Sequence, residues 1–158
     1  MLKVQKLNGD AVVPTKREED GGYDVYPSFS EEEFIIEPLE TRLVPTGIAT
    51  AFDEDKVALL RERGSTGTRG MSLKAGVIDS GYRGEWFVAI NNTSDKTLVI
   101  SKNVKNPFVM GNYQFYPYRK GIAQFTLVDS YHENTEVVED IMDYDSERGK
   151  GKLGSSDK

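Results

Sequence analysis

Short runs of β-branched and aromatic residues, each ended within a few positions by Gly, Pro, Asn or Asp, fill most of this chain. No long stretch carries the 3.6-residue period of an amphipathic helix, and we expect at most one helical turn, around Ser65–Arg69. Many short strands separated by turn residues are typical of a β-sandwich or β-barrel. The pattern therefore predicts an all-β fold, with strands at Leu2–Leu7, Glu33–Ile36, Thr41–Val44, Gly47–Phe52, Val57–Arg61, Gly76–Asp79, Glu85–Asn91, Thr97–Ser101, Tyr113–Tyr118 and Gly121–Asp129.

Composition excludes several classes of function. The chain of 158 residues is long enough for one domain whose core needs no disulfide or metal, and its net charge of −6 argues against a nucleic-acid binder. It has no cysteine, and His132 is its only histidine, so thiolate metal sites and two-histidine catalytic sites are excluded. No apolar run reaches the roughly 20 residues of a membrane span, and Met1–Gln5 lacks the apolar region of a signal peptide. We expect a cytoplasmic protein that binds neither nucleic acid nor membrane.

The segment from Ala75 to Glu85 is the strongest candidate for chemistry. An apolar run, Val77-Ile78, ends in Asp79, a Ser-Gly pair follows, and Tyr82 precedes a second apolar run. We interpret the segment as a β-hairpin in which glycine supplies the positive φ that a tight turn requires. Such a hairpin would hold Asp79 and Tyr82 opposite each other beside a small pocket. Asp79 is then a candidate general base, and its alternative role is to cap the turn.

The composition changes near the C-terminus, because residues 141–158 hold almost nothing that could enter a core. On composition alone this tail is a disordered terminus. The alternative is an arm that becomes ordered on a polyanion, since Gly-rich backbone exposes N–H groups and Arg148 can bind phosphate through two hydrogen bonds. Ser155 and Ser156 would add hydroxyl donors. We divide the chain into a β-domain, residues 1–140, and this C-terminal arm.

Five stretches, in chain order, resemble the five motifs of the homotrimeric dUTP pyrophosphatases, the dUTPases. They are Asp20–Val25, Arg61–Gly67, Ala75–Glu85, Gly121–Phe125 and Arg148–Ser156. The resemblance implies a jelly-roll-like β-barrel that assembles into a homotrimer, with a flexible C-terminal arm closing over each of three sites between subunits. It also implies Mg²⁺-dependent hydrolysis of dUTP to dUMP and pyrophosphate, which limits uracil in DNA and supplies dUMP for dTMP synthesis.

The resemblance further implies roles for residues of the third motif. Asp79 would deprotonate the water that attacks the α-phosphorus, and Tyr82 would stack beneath the deoxyribose and reject ribonucleotides. A strand edge can hydrogen-bond a pyrimidine as it would another strand, so main-chain groups can recognise uracil. The main-chain groups implied to do so belong to Gly76, Val77, Ile78, Trp86 and Phe87.

The other motifs are implied to hold the triphosphate and the metal ion, with Asp24 holding Mg²⁺ through a water molecule. Residues implied to contact phosphate are Arg63, Gly64 and Ser65, Gln124 reaching in from a neighbouring subunit, and Arg148, Gly154, Ser155 and Ser156 of the arm. Several positions depart from the family pattern, among them Gly64, where serine is usual, and Leu153, where an aromatic lid over uracil is frequent. Trp86 or Phe87 is our candidate for the missing aromatic lid.

The segment between the third and fourth motifs, residues 93–118, is longer than the family usually needs. It is similar to insertions in some bacteriophage dUTPases. We interpret the segment as an extended insertion, either a simple surface hairpin or a docking surface for a protein partner. A phage origin would place the protein in the cytoplasm of a bacterial host. Two other functions stay open: that of the related dCTP deaminases, including bifunctional enzymes, and that of a dUTPase-like regulator that binds a protein through residues 93–118.

Overall fold

The computed structural model describes residues 1–151, and almost all of their regular structure is β-strand. The strands are β1 (Lys3–Lys6), β2 (Tyr23–Val25), β3 (Glu33–Ile36), β4 (Thr41–Pro45), β5 (Ile48–Ala51), β6 (Lys56–Arg61), β7 (Met71–Lys74), β8 (Val77–Asp79), β9 (Phe87–Asn92), β10 (Thr97–Ser101), β11 (Phe108–Met110), β12 (Tyr113–Pro117) and β13 (Ala123–Asp129). One short helix, α1 (Gly64–Gly67), lies between β6 and β7, and a 3-10 turn (Ile141–Asp143) follows the last strand. The all-β prediction is confirmed.

All ten predicted strands are present, with ends that agree to within two residues. The sequence pattern missed β2, β7 and β11, which have only three or four residues each. So few residues cannot display the alternation of apolar and polar positions by which a strand is recognised.

The strands form four sheets. Two four-stranded sheets have the orders β11-β12-β10-β3 and β2-β13-β6-β8. A three-stranded sheet, β4-β9-β7, and the pair β1-β5 complete the fold. Within the described residues all strand pairs are antiparallel except β10 and β12, which run parallel.

Large apolar side chains on the inward faces of the sheets form the core. Trp86 and Phe125 are fully buried, and their rings meet edge to face with centroids 5.0 Å apart. Truncating either ring to alanine would cost about 3–5 kcal/mol of stability. Other fully buried large side chains are Tyr116, Ile36, Ile48, Met71, Ile90, Leu98, Ile100 and Ile122.

Residues 93–118 are not an insertion added to the surface, contrary to the prediction. They contain β10 and β12, which lie next to each other in a core sheet and bury Leu98, Ile100 and Tyr116 completely. Within residues 93–118, the exposed large apolar side chains lie in the hairpin of β11 and β12, where β11 is the outermost strand of its sheet. The side chains that form this apolar hairpin surface are 46–61% exposed and belong to Phe108, Val109, Met110 and Tyr113.

The last strand ends at Asp129, and residues 131–151 are almost entirely exposed. One contact near the start of this segment joins His132 Nε2 and the carbonyl oxygen of Glu54, 3.2 Å apart. The division between a β-domain ending at residue 140 and an arm starting at 141 stays a prediction. Among residues 1–151, no helix has the length and apolar character that crossing a membrane requires.

Candidate active site

Four of the five motif segments lie on or beside the sheet β2-β13-β6-β8. Asp24 on β2 is directly opposite Gln124 on β13, and Arg61 on β6 is the next residue across the sheet. The helix α1 begins just after Arg61, so the first, second and fourth motifs meet at one corner of the sheet, which we name the corner site. At the other edge, β8 ends in Asp79, which pairs with Val57.

Asp79 is far from the corner site within one chain. By strand register, Asp24 and Asp79 are separated by three strand spacings across the sheet and by the four residues from Arg61 to Val57 along it. With about 4.8 Å between strands and about 3.3 Å per residue, their Cα atoms are roughly 20 Å apart. The chain therefore carries two separate part-sites, the corner site and a β8 site around Asp79.

An ion pair between Arg63 and Asp24 is the strongest polar contact of the corner site. Arg63 Nε donates to Asp24 Oδ1 at 2.6 Å and Nη2 donates to Oδ2 at 2.9 Å, with the two side chains only 26% and 28% exposed. Burial lowers the pKa of the Arg63 guanidinium, but the hydrogen bonds and charge of Asp24 raise it by more, so the net shift is upward. Arg63 therefore stays charged, and its planar fork fixes the orientation of the Asp24 carboxylate.

The remaining contacts of Arg63 join it to the second and fourth motifs. Its Nη1 donates to the carbonyl oxygen of Gly121 at 3.0 Å and to Ser65 Oγ at 3.2 Å. Each of the three guanidinium nitrogens therefore already has an acceptor in the chain. The geometry shows that Arg63 orients Asp24 and Ser65, and its contact with phosphate stays a prediction.

Gly64 opens α1 and lies in the wall of the corner site. A Cβ placed on Gly64 would have no atom within 4 Å, and the backbone there does not have a positive φ. The serine that is usual in the family would therefore fit at this position without strain. Packing does not explain the glycine.

A polar cavity of about 620 Å³ lies at the corner site. Predicted residues and unpredicted ones share its wall, which is formed by Thr15, Lys16, Arg17, Asp20, Gly21, Gly22, Asp24, Arg63, Gly64, Ser65 and Gln124. A triphosphate chain with its counter-ion fits a cavity of this size and polarity.

The sequence analysis missed three residues of this wall, Thr15 and the two cations Lys16 and Arg17. Lys16 Nζ donates to the carbonyl oxygen of Asp20 at 3.1 Å and lies 5.1 Å from the centre of the Tyr23 ring. Arg17 forms an ion pair with the Asp20 side chain, 3.0 Å apart, and is largely exposed. Two consecutive cations just before the first motif of an acidic chain were the available signal.

Gln124 forms the floor of the cavity and is held by its neighbours. Its Nε2 donates to the carbonyl oxygen of Glu62 at 2.8 Å. Its Oε1 would lie 2.9 Å from a Cβ placed on Gly22, so Gly22 must remain glycine for Gln124 to keep this position. One face of the amide is thereby fixed against the second motif.

The β8 site is a smaller cavity of about 240 Å³, lined by Val77, Ile78, Asp79, Tyr82, Glu85 and Phe87. In the described part of the chain β8 pairs only with β6, so the main-chain N–H and C=O groups of its other edge are open. The Tyr82 hydroxyl donates to the carbonyl oxygen of Glu85 at 2.9 Å, which holds the ring over the turn. A planar ligand could hydrogen-bond this free edge with Asp79 beside it.

The segment Ala75–Glu85 is not a β-hairpin, and this part of the prediction is wrong. β8 belongs to one sheet and β9 to another, where β9 pairs with β4 and β7. The turn between them is closed by the Tyr82 N–H, which donates to the Asp79 carbonyl oxygen at 3.1 Å. Gly81 has no positive φ, and the left-handed residue is Ala75, with a φ of 51°. Asp79 and Tyr82 still share one cavity, because the turn itself brings them together.

Trp86 and Phe87 have different roles from those expected. Trp86 is fully buried in the core, its main-chain N–H donates to the Ile48 carbonyl oxygen at 2.9 Å, and its main-chain carbonyl oxygen accepts from the Thr46 hydroxyl at 2.6 Å. The predictions that Trp86 forms a lid or reads uracil are therefore wrong. Phe87 is 40% exposed and lines the β8 site, where it can contact a base.

Gly76 is held against β6 at the entrance to β8. Its carbonyl oxygen accepts from the Leu60 N–H at 2.7 Å, and a Cβ on Gly76 would lie 2.6 Å from the Leu60 carbonyl oxygen. Because backbone cannot move aside easily, we expect Gly76→Ala to destabilise the protein by about 1–3 kcal/mol. Thermal unfolding followed by circular dichroism measures this. Gly81→Ala is the matched control, since no atom lies within 4 Å of that Cβ, and equal midpoints for the two variants would contradict the prediction.

Glu62 links the second motif to β7 and gives the fold a pH dependence. The Leu73 N–H donates to Glu62 Oε1 at 2.7 Å, and this hydrogen bond holds the pKa of the Glu62 carboxyl below its ordinary value of 4.5. A lowered folded-state pKa means that the carboxylate stabilises the fold above about pH 4.5 and that this stability is lost as pH falls through the folded-state pKa.

We therefore expect Glu62→Gln to unfold at a lower temperature than the parent at pH 7, with a gap that closes as the pH falls below about 4.5. Midpoints measured across this pH range test the expectation. Glu133→Gln, in the exposed segment after β13, is the control and should follow the parent throughout. A gap between Glu62→Gln and the parent that stays constant with pH would contradict the assignment.

The predicted arm residues are only partly within the described chain. Arg148 is exposed, its Nε donates to the carbonyl oxygen of Gly151 at 3.2 Å, and it lines neither part-site. Gly154, Ser155 and Ser156 lie outside the described residues, as does Leu153. Their contacts with a ligand stay predictions.

Comparisons with known proteins show to which family the chain is similar. The family model described as dUTPase matches residues 10–105. The chain is 35% identical to the deoxyuridine 5'-triphosphate nucleotidohydrolase of Clostridioides difficile, over 98% of this chain and 96% of that protein. It is 32% identical to the protein of the same name from Clostridium tetani, over 99% and 97% of the two chains.

A solved structure supports the same conclusion. The dUTPase of Staphylococcus bacteriophage 80alpha with dUpNHpp is 26% identical, with a TM-score of 0.78 over 99% of this chain and 98% of the phage chain. The jelly-roll-like fold implied by the sequence motifs is confirmed by this likeness. By family model, by sequence identity over nearly its full length and by fold, the chain belongs to the dUTPase family.

Proposed function

We propose that the protein hydrolyses dUTP to dUMP and pyrophosphate in a homotrimer whose active sites lie between subunits. The observation that carries this proposal is the pair of part-sites on one sheet, roughly 20 Å apart in the same chain. The β8 site offers a base-binding edge and a carboxylate, whereas the corner site offers a polar cavity with Arg63, Asp24 and Ser65. Neither part-site alone has both the base-binding edge with its carboxylate and the polar cavity for the triphosphate.

The distance between the part-sites is what favours assembly. A base that removes a proton from water must lie within hydrogen-bond reach of it, about 3 Å, and that water must touch the α-phosphorus. Asp79 cannot do this for a triphosphate held at Asp24 of the same chain. In a cyclic trimer, the β8 site of each subunit could lie against the corner site of the next subunit. Because the ring closes, each β8 site and each corner site is used once, and three complete sites form.

Uracil recognition is proposed for the free edge of β8. The open N–H and C=O groups of Val77 and its neighbours can pair with a pyrimidine edge as a further strand would. Cytosine presents a donor at position 4 where uracil presents an acceptor, and each buried polar group left unpaired costs about 1–3 kcal/mol. The Tyr82 ring, held by its bond to Glu85, would pack beneath the deoxyribose and leave no room for a 2′-hydroxyl.

Asp79 is the proposed general base. Its side chain is exposed at the end of a strand that is fixed against β6, so it is both accessible and oriented. It would take a proton from the water that attacks the α-phosphorus, the bond to the bridging oxygen would break, and pyrophosphate would leave. The corner site of the adjacent subunit would bind the departing phosphates through Ser65, Lys16 and Arg17.

Mg²⁺ is the proposed cofactor, and the corner site fits it. Within residues 1–151 no three His, Cys, Asp or Glu side chains converge on one point. Mg²⁺ does not require such a cage, because it keeps several waters and takes substrate phosphate oxygens with one or two carboxylates. Asp24, oriented by Arg63 in the cavity wall, would hold the ion through water. When bound, the ion would neutralise charge on the triphosphate.

The arm, residues 141–158, is proposed to close over the triphosphate. Residues 131–151 are almost entirely exposed, so they are available to another subunit. Arg148, Gly154, Ser155 and Ser156 would add donors to the outer phosphates, which partly offsets the missing hydroxyl at Gly64. No described aromatic residue other than Phe87 and Tyr82 lines the β8 site to serve as a lid.

The test of the proposed function is pyrophosphate release from each of the four standard deoxynucleotides, dUTP and UTP, with and without Mg²⁺. The proposal predicts that dUTP is turned over with a kcat/KM at least about 100-fold above that for dCTP, TTP or UTP. The same samples are assayed for ammonia. Ammonia from dCTP without pyrophosphate from dUTP would replace this function by that of a dCTP deaminase.

A second candidate function, that of a regulator binding a protein partner, is favoured by one observation. The apolar hairpin surface (Phe108, Val109, Met110 and Tyr113) lies on β11, the outermost strand of its sheet, and at the start of β12, and it lines neither part-site. Size-exclusion chromatography of the chain with host extracts, comparing the parent with Val109→Lys, tests for a partner. Normal dUTP turnover and no partner captured by the parent would count against regulation as the main function.

A further inference from the structure

Tyr116 is buried beneath the corner site, although the sequence analysis gave it no role. It lies on β12, its side chain is fully buried, and its hydroxyl donates to the carbonyl oxygen of Gly121 at 2.8 Å. Gly121 opens the fourth motif. A Cβ on Gly121 would lie 3.2 Å from Asp24 Cβ and 3.3 Å from Arg63 Cδ, so this backbone is packed directly against the ion pair.

The same hydroxyl is close to both members of the second motif. It lies 3.4 Å from Arg63 Nη1 and 3.4 Å from Ser65 Oγ. Arg63 Nη1 and the Tyr116 hydroxyl therefore share one acceptor, the Gly121 carbonyl oxygen. The three groups are linked by hydrogen bonds to one another and to this carbonyl oxygen, so the position of each restricts the others.

We propose that Tyr116 is a positioning residue for triphosphate binding. Its hydroxyl fixes Arg63 and Ser65, and through Arg63 it fixes the carboxylate of Asp24 that faces the cavity. It does not touch substrate, because it is fully buried. The inference rests on the proposed function, since it assumes that the corner site holds the phosphates.

The placement of Tyr116 also ties the corner site to a distant part of the surface. Tyr116 follows Phe115 on β12, and the Phe115 ring stacks on Phe108 of the apolar hairpin surface with centroids 4.7 Å apart. The strand β12 has a core position at Tyr116 and a partly buried neighbour at Phe115, so it connects the two regions. Core packing and site geometry therefore depend on the same strand.

The experiment compares Tyr116→Phe with Tyr118→Phe. Each substitution removes one hydroxyl and keeps the ring. Tyr118 is the matched control because its hydroxyl is buried with no hydrogen-bond partner among the described residues, and it lines a different cavity. Calorimetry measures the Kd for dUpNHpp with Mg²⁺, and NMR titration measures the Kd for deoxyuridine, which has no phosphate.

We expect Tyr116→Phe to weaken dUpNHpp binding about 3- to 10-fold, the loss of one or two buried hydrogen bonds, and to leave deoxyuridine binding unchanged. Tyr118→Phe should match the parent for both ligands. Equal dUpNHpp affinities for the two variants would overturn the inference. Equal loss of both ligands by Tyr116→Phe would also overturn it, since that result means general loss of structure. A parent protein that bound neither ligand would overturn the proposed function and the inference with it.

Discussion

Replacing Asp79 by asparagine is expected to lower kcat for dUTP hydrolysis by about 10²- to 10⁴-fold while changing the Kd for dUpNHpp less than about threefold. Asparagine has nearly the same shape and can still hydrogen-bond a sugar hydroxyl. It cannot accept the proton of the attacking water. Pyrophosphate release under saturating dUTP gives kcat, and calorimetry with the analogue gives Kd.

Asp95→Asn is the control for this substitution, because Asp95 is 89% exposed in a turn remote from both part-sites. It should keep the parental kcat. Normal turnover by Asp79→Asn would remove the carboxylate from the mechanism. A large loss of analogue affinity together with kcat would instead assign Asp79 to binding.

Mixed assemblies are expected to show the second large effect. Asp79→Asn and Asp24→Asn should each be inactive alone, because one damages the β8 site and the other the corner site. When the two chains are co-expressed with different tags and purified by both tags, every trimer is mixed. In a cyclic trimer each mixed assembly then has one site with both halves intact, so activity should return to about a third of the parental kcat.

The matched control pairs two variants of the same part-site. Trimers that mix Asp79→Asn with Tyr82→Ala have no undamaged β8 site, so no combination of subunits restores a complete site. They should remain inactive. Recovery in this control, or none in the Asp79 and Asp24 mixture, would contradict a site shared between subunits.

Most of the fold could be predicted because each of these strands has a recognisable pattern in its own residues. Runs such as Thr97–Ser101 have β-branched residues bounded by turn residues, and the structure has the same strand. The residues of a strand do not indicate which other strands it pairs with. Residues 93–118 therefore looked like an insertion, whereas β10 and β12 within them pair in parallel inside a core sheet. Parallel pairing of strands separated by a short third strand has no local sequence signal.

The site was predictable where a motif keeps its residues together, and less so where distant residues meet. Asp79 and Tyr82 share a cavity as expected, although the turn between them leads into a different sheet. The ion pair of Arg63 with Asp24 joins residues 39 positions apart, and the contacts of Tyr116 with Arg63 and Ser65 span 53 and 51 positions. Trp86 was misassigned because the sequence does not distinguish an aromatic residue that faces the ligand from one that faces the core.

The central claim is that one dUTP is held by the β8 site of one subunit and the corner site of another. A crystal structure of the protein with dUpNHpp and Mg²⁺ tests it most directly. The account predicts uracil against the free edge of β8 near Val77, with the triphosphate beside Asp24 of an adjacent subunit. A uracil bound away from β8, or an analogue held by the residues of a single chain, would contradict it.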